Sequence, residues 1–293
     1  MLLLPKFEYH EPKVIADACK LLSELRPDTK IIAGGTDILV NMKKGLLSPK
    51  HLVSLAKIPC LSEMKAENGR LTIGSHVIVS ALAESAHIRK IFPVLQKAAS
   101  VLGSPLVRNR ATIGGNMVTA RPAADLPPSL MAMGARLKLN SPHGERELPL
   151  EDFFLGPGET VIKPDEILTS IVLNNPPPYT GGDYIKLGHR RAVEIAIVAV
   201  ASRITLDRPD GVIKEAKVIL SSVAPKAIHA LSSEKMLIGQ KPGKKLFAEA
   251  AAAAETICAP IDDVRGSAEY RCAMVEVLAK RTLMGAWKQA LGK

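Results

Sequence analysis

The chain has 293 residues, 47% apolar and 23% charged, and its 39 basic against 29 acidic side chains give a formal charge of +10. That length supports one large domain or two to three small ones and buries roughly three-quarters of the unfolded surface; no apolar run reaches the roughly 20 residues of a membrane-spanning helix. The basic excess invites a nucleic-acid reading, but only 3% of residues are aromatic and no run of five basic residues occurs, so an anionic ligand or an acidic partner fits better.

The opening MLLLPKFEYH has too few apolar residues before Pro5 and Lys6 for the core of a secretory signal, which makes the cytoplasm the expected setting. Cys19, Cys60, Cys258 and Cys272 are dispersed and form no Cys-x-x-Cys pair, so they read as reduced and mostly buried rather than as a disulfide or metal framework.

After an extended FEY, apolar residues recur at helical spacing over residues 13–25, with Pro12 suited to a first turn. KIIAGG reads as a strand ending in Gly34 and Gly35, with Asp37 as a cap for the short helix that follows, and HLVSL as another buried strand. LSEMKAENGRLTIGS forms a hairpin about Asn68-Gly69, the strongest short turn signal in the chain. Residues 80–102 read as helix before and after Pro93. ATIGGNMVTARPAADLPP then reads as a strand stopped by Gly114 and Gly115, followed by a polar loop closed by prolines.

Beyond it, SLMAMGARLKLNSPHGEREL predicts a helix and a hairpin, and ILTSIVL a strand. NNPPPYTGGDY, residues 174–184, reads as a linker because successive prolines disfavour both helix and central strand, placing a domain boundary near residue 178. The remainder predicts a helix or strand at IAIVAVASRITL, a turn at Pro209-Asp210-Gly211, a second strand, and helices over residues 244–254 and 267–291. No internal repeat is evident.

Two stretches, KIIAGGTDIL and ATIGGNMVTA, thus end a strand in glycines and offer unblocked amides, the makings of anion nests. A charge-assisted hydrogen bond contributes about 1.5–3 kcal/mol, so a few of them outweigh the roughly 0.5–1 kcal/mol that each glycine costs. Neither stretch matches the Gly-x-Gly-x-x-Gly dinucleotide fingerprint or the Gly-x-x-x-x-Gly-Lys-Ser/Thr phosphate loop, which argues against a nicotinamide Rossmann domain.

AGGTDILVNMK, ATIGGNMVTARPAADLPPSLMAMGA and YIKLGHRRAVEIAIV, in that order, resemble the FAD-binding medium subunit of the molybdenum hydroxylases, the family of xanthine dehydrogenase and aerobic carbon monoxide dehydrogenase. The resemblance spans almost the whole chain. It implies an α+β fold: a vanillyl-alcohol-oxidase-like, PCMH-type, two-part FAD-binding domain over residues 1–177, with parts at about 1–56 and 57–177. A smaller α+β domain over 178–293, with a short antiparallel sheet and a helical bundle, follows.

By that resemblance the FAD contacts are Ile31, Ala33, Gly34, Gly35, Thr36, Asp37 and Ile38 from the first motif. The second supplies Ala111, Thr112, Gly114, Gly115, Asn116, Val118, Thr119, Ala124 and Asp125. Leu102 and Gly103 match the adenine side, Val118 and Leu168 match residues that sandwich the isoalloxazine, and Lys186 matches a lysine beside the flavin. The types make sense, since glycine amides approach phosphates, threonine hydroxyls and Asn116 hydrogen-bond, and Asp125 can accept from sugar hydroxyls. Glu194 and Arg121 depart from the family pattern, and His189 beside Arg190 and Arg191 reads as structural.

The implied function is electron transfer, with no catalytic acid, base or nucleophile and no metal in this chain. Molybdopterin and [2Fe-2S] clusters are expected only in partners, a large and a small subunit, in a heterotrimer taken singly or doubled. An FAD-binding assembly subunit that does not turn over is the second reading, and a basic nucleic-acid-binding protein the third.

Overall fold

A computed structural model describes residues 3–190 and 192–292. The first lobe contains β1 (Glu8–His10), α1 (Ile15–Glu24), β2 (Thr29–Ile32), α2 (Ile38–Lys43) and β3 (His51–Ser54). Its three strands are parallel in the order β1-β3-β2. Ala18 and Cys19 of α1 each lie about one helical turn before Leu22, and the three bury against Val53 and Leu55, as the apolar spacing requires. Pro12 lies outside α1, whose N-cap is Val14.

The second lobe opens with β4 (Met64–Glu67) and β5 (Arg70–Gly74), joined by Asn68 and Gly69 at φ 52° and 72°. That is the type I′ geometry the Asn-Gly pair favours. Helices α3 (Val79–Glu84), α4 (Ala86–Ile91), α5 (Pro93–Val101), α6 (Pro105–Arg108), α7 (Ile113–Val118) and α8 (Leu126–Ala132) follow. Strands β6 (Arg136–Ser141), β7 (Gly144–Pro149), β8 (Phe154–Gly156), β9 (Glu159–Thr160) and β10 (Ile167–Asn174) complete the lobe. Its main sheet is antiparallel, in the order β4-β5-β10-β6-β7.

The second glycine motif corrects the expectation of a broken strand. Thr112 is extended and caps α7, accepting from the Gly115 N–H at 3.1 Å, and Gly114 and Gly115 lie in the first turn of the helix. The prolines after it do not close a loop; Pro127 and Pro128 start α8, where a missing N–H costs nothing.

The third region holds β11 (Thr180–Leu187), β12 (Val198–Leu206), β13 (Ile213–Ser221) and β14 (Ile228–His229), an antiparallel sheet in that order. Helices α9 (Leu231–Leu237), α10 (Lys244–Glu255) and α11 (Ala268–Ala290) cover it, the last capped by Ser267. Period-2 alternation divides the sheet between two cores: Ala199 and Ala201 join the second lobe, whereas Val198 and Val200 face the helices.

The proline run is a shorter connection than expected, because β11 already begins at Thr180. Its two glycines pack where neighbours come closest. A side chain on Gly181 would strike the Ala286 carbonyl of α11, and one on Gly182 would press Val94 of α5. Of the four cysteines only Cys19 is buried, and Cys60 is exposed. Among the described residues no helix is long and apolar enough to cross a membrane.

Candidate functional site: a cleft between the two lobes

The cleft lies where the parallel sheet of the first lobe meets α6 and α7 of the second. It comprises a cavity of about 310 Å³ and an adjoining one of about 730 Å³, within the size range of cofactor pockets. Both are lined by Thr36, Asp37, Leu102, Asn116 and Thr119, so the two adjoin along these residues.

The structure gathers nearly all the sequence-predicted residues there. Ile31, Ala33, Gly34, Gly35, Ile38, Ala111, Thr112, Gly114, Gly115, Val118 and Leu168 line the smaller cavity. Gly103, Ala124 and Asp125 line the larger one, together with Arg121 and Glu194. Lys186 lines neither. Sequence reading missed Ser75, Leu55, Val107, Ile162 and Ile167 in the smaller cavity. For Ser75 a signal existed, since LTIGS repeats the strand-glycine-polar pattern of the two motifs.

The walls differ in their polar chemistry. In the first lobe the N–H groups of residues 33–38 have no protein acceptor among the described residues. They follow the end of β2 through Gly35 at φ 78°, a left-handed conformation that suits glycine. Gly34 is required for another reason, because a Cβ there would collide with the Arg110 carbonyl of the facing lobe. Asp37 occupies the N-cap of α2 without a side-chain cap bond, and its carboxylate is exposed.

In the second lobe the amides are spent, which corrects the expectation of a second nest. Ile113 N–H donates to the Val77 carbonyl at 2.9 Å, Gly114 N–H to Ser75 at 2.8 Å, and Asn116 N–H to Thr112 at 3.0 Å. Thr119 Oγ1 donates to the Gly115 carbonyl at 2.7 Å. This wall offers side chains instead: Asn116 Oδ1 and Ser75 Oγ are buried without a partner. An orphaned buried polar atom costs about 1–3 kcal/mol, so both point to a ligand group in the cavity.

Asp125 and Lys186 form a buried ion pair, Nζ to Oδ2 at 2.9 Å, with side chains 8% and 7% exposed. The Tyr184 hydroxyl donates to the other carboxylate oxygen at 3.0 Å. Burial pushes the Asp125 carboxyl up, against the opposing pull of Lys186 and Tyr184. Burial, followed by the neighbouring carboxylate, pushes the Tyr184 phenol well up. Lys186 thus reaches the larger cavity through Asp125 rather than by facing it.

At the rim, Arg190 donates to Glu194 at 2.9 Å and holds its carboxyl below the usual range. Arg121 makes no ion pair among the described residues. His189 Nε2 lies 3.0 Å from the Arg265 carbonyl oxygen, and Arg191 lies outside the described residues.

A two-lobed cleft with one amide-rich wall has the size and the donors for an extended anionic cofactor. Residues 5–176 match the family described as the FAD binding domain in molybdopterin dehydrogenase, and residues 183–286 the CO dehydrogenase flavoprotein C-terminal domain. The chain is 34% identical to the carbon monoxide dehydrogenase medium chain of Hydrogenophaga pseudoflava over 283 residues, 97% of this chain and 98% of that one. It is 29% identical to the xanthine dehydrogenase FAD-binding subunit of Escherichia coli O157:H7 over 287 residues, covering 97% of each. A solved structure of carbon monoxide dehydrogenase from Hydrogenophaga pseudoflava superposes with a TM-score of 0.94 at 33% identity, covering 98% of this chain and 99% of that one. This chain belongs to the family of FAD-binding medium subunits of the molybdenum hydroxylases.

Proposed function

We propose that this chain is the FAD-containing electron-transfer subunit of a molybdenum hydroxylase complex. It takes electrons from a [2Fe-2S] subunit and passes them to an external acceptor such as NAD, a quinone or ferredoxin. The observation that carries this reading is one cavity lined both by residues 33–38, whose N–H groups have no protein acceptor among the described residues, and by the orphaned Asn116 Oδ1 and Ser75 Oγ.

That donor set fits a flavin dinucleotide. The first-lobe amides suit the pyrophosphate oxygens, with Thr36 Oγ1 beside them. Asn116 Oδ1 and Ser75 Oγ accept from sugar or ribityl hydroxyls, and Leu102, Val118 and Leu168 provide apolar contact for rings. Gly103, Ala124 and Asp125 line the adjoining cavity, which gives an extended cofactor its second half. When bound, FAD supplies a two-electron store that exchanges single electrons with clusters; the chain's own part is to hold it, orient it and tune its surroundings.

The reading divides the chain at residue 177 into an FAD-binding and a C-terminal domain. It also calls for a large molybdopterin-binding and a small [2Fe-2S] partner, in a heterotrimer taken singly or doubled. Reconstitution with those partners tests it: substrate added to the complex bleaches the flavin absorbance of this chain. A flavin that stays oxidised while the clusters are reduced would assign the chain to assembly alone, and a complex from which no flavin can be extracted would remove FAD altogether.

A further inference from the structure

Away from the cleft, three side chains of the first lobe converge on one point. Glu8 and His10 are two residues apart on β1 and therefore share a face of the sheet. His51 stands beside Glu8 in parallel register on β3. His10 Nε2 lies 3.2 Å from His51 Nδ1. Glu8 Oε2 lies 3.3 Å from that Nδ1 and 3.9 Å from His10 Nε2.

No arrangement of hydrogen bonds among the neutral rings and the carboxylate gives each of the three approaches a hydrogen of its own. His51 Nδ1 carries at most one hydrogen, yet an imidazole nitrogen and a carboxylate oxygen both close on it. If His10 donates to it, the Glu8 oxygen faces a lone pair; if it is itself the donor, its single hydrogen is shared between His10 Nε2 and Glu8 Oε2. A cation at the centre of the triangle uses all three lone pairs at once.

The dimensions favour a small transition ion. Tetrahedral zinc with bonds of about 2.0–2.2 Å sets ligand atoms roughly 3.3–3.5 Å apart. The contacts to His51, at 3.2 and 3.3 Å, lie at the short end of that spacing. The wider third belongs to Glu8, whose side chain is 73% exposed and free to turn inward. Two imidazoles and one carboxylate suit zinc-like ions better than calcium or magnesium, which prefer oxygen.

We infer that Glu8, His10 and His51 form a binding site for a divalent first-row transition ion, zinc in the first instance, that clips β1 to β3. Water completes the coordination on the exposed side. The site is separate from the cleft: His51 begins β3, whereas the cavity residue Leu55 lies beyond its other end, about 13 Å along the strand. Flavin content and zinc binding are therefore independent readouts.

The experiment titrates chelator-stripped full-length protein with zinc ions in competition with a chromophoric chelator. One equivalent is expected to bind, His10→Ala and His51→Ala each weakening it by at least about tenfold. Glu8→Gln has a smaller effect, and His143→Ala, an exposed histidine on the β6–β7 turn, has none. Cobalt ions give visible ligand-field bands that the His10→Ala/His51→Ala double variant lacks. Circular dichroism and flavin content stay unchanged in these variants, which separates loss of the ion from loss of the fold. No competitive binding by the wild-type chain overturns the inference, as does an equivalent of zinc retained by the double variant.

Discussion

The two glycine pairs look alike in sequence and behave oppositely in the structure. Residues 33–38 leave a strand along the cleft with N–H groups that have no protein acceptor among the described residues, whereas residues 113–118 coil into a capped helix whose first amides are taken by Val77, Ser75 and the Thr112 side chain. The glycines follow the same division: Gly35 is needed for its positive φ, Gly114 because a Cβ would strike Ser75. One wall offers backbone donors and the other side-chain oxygens, so a glycine pair marks a place where backbones come close and does not by itself mark a nest.

The largest expected effect tests whether the charges beside the second wall are as closed as its amides. Lys186→Met strands the buried Asp125 carboxylate and lowers stability by about 3–5 kcal/mol in a urea titration. Adding Asp125→Asn recovers most of that loss. In protein that retains FAD, Lys186→Met lowers the flavin reduction potential; an unchanged potential assigns the pair to structure only.

Next comes Gly34→Ala, which breaks the first wall by driving a methyl group into the Arg110 carbonyl. It costs stability toward the top of the about 1–3 kcal/mol of overpacking, and the purified protein contains little flavin. Were Gly34→Ala fully flavinated, residues 33–38 would not be the phosphate-binding wall.

Thr112→Val removes the cap of α7 and lowers stability by about 1 kcal/mol. Because the cap serves the helix, flavin content in that variant stays near that of the wild type; its collapse would return a binding role to the second set of amides. The smallest effect belongs to Gly115→Ala. A Cβ there meets only Thr112 Oγ1, and the helix gain of about 1 kcal/mol from alanine offsets the adjustment. A melting temperature within a few degrees of the wild type is expected.

The features read correctly from sequence are local ones. Helical periodicity found α1, the helices α10 and α11 were expected over residues 244–254 and 267–291, and Asn68-Gly69 signalled its hairpin through turn chemistry alone. What escaped depends on distant partners. Gly114 and Gly115 disguised a helix because glycine has poor helix propensity, and only the approach to Ser75 explains the first of them. Gly181 and Gly182 read as linker because α5 and α11, which make them useful in a strand, lie far away in sequence. The motifs assembled most of the cleft, yet the pairing of Asp125 with Lys186 joins side chains 61 positions apart and has no local signal.

The unpaired amides of the first lobe carry a practical consequence for handling the protein. Backbone N–H groups read charge and size, not chemical identity, so in the flavin-free chain they are expected to donate to sulfate or inorganic phosphate as well. Such ions in a purification buffer then compete with reloading of the dinucleotide, and a chain isolated in chloride takes up its flavin more readily than one isolated in phosphate.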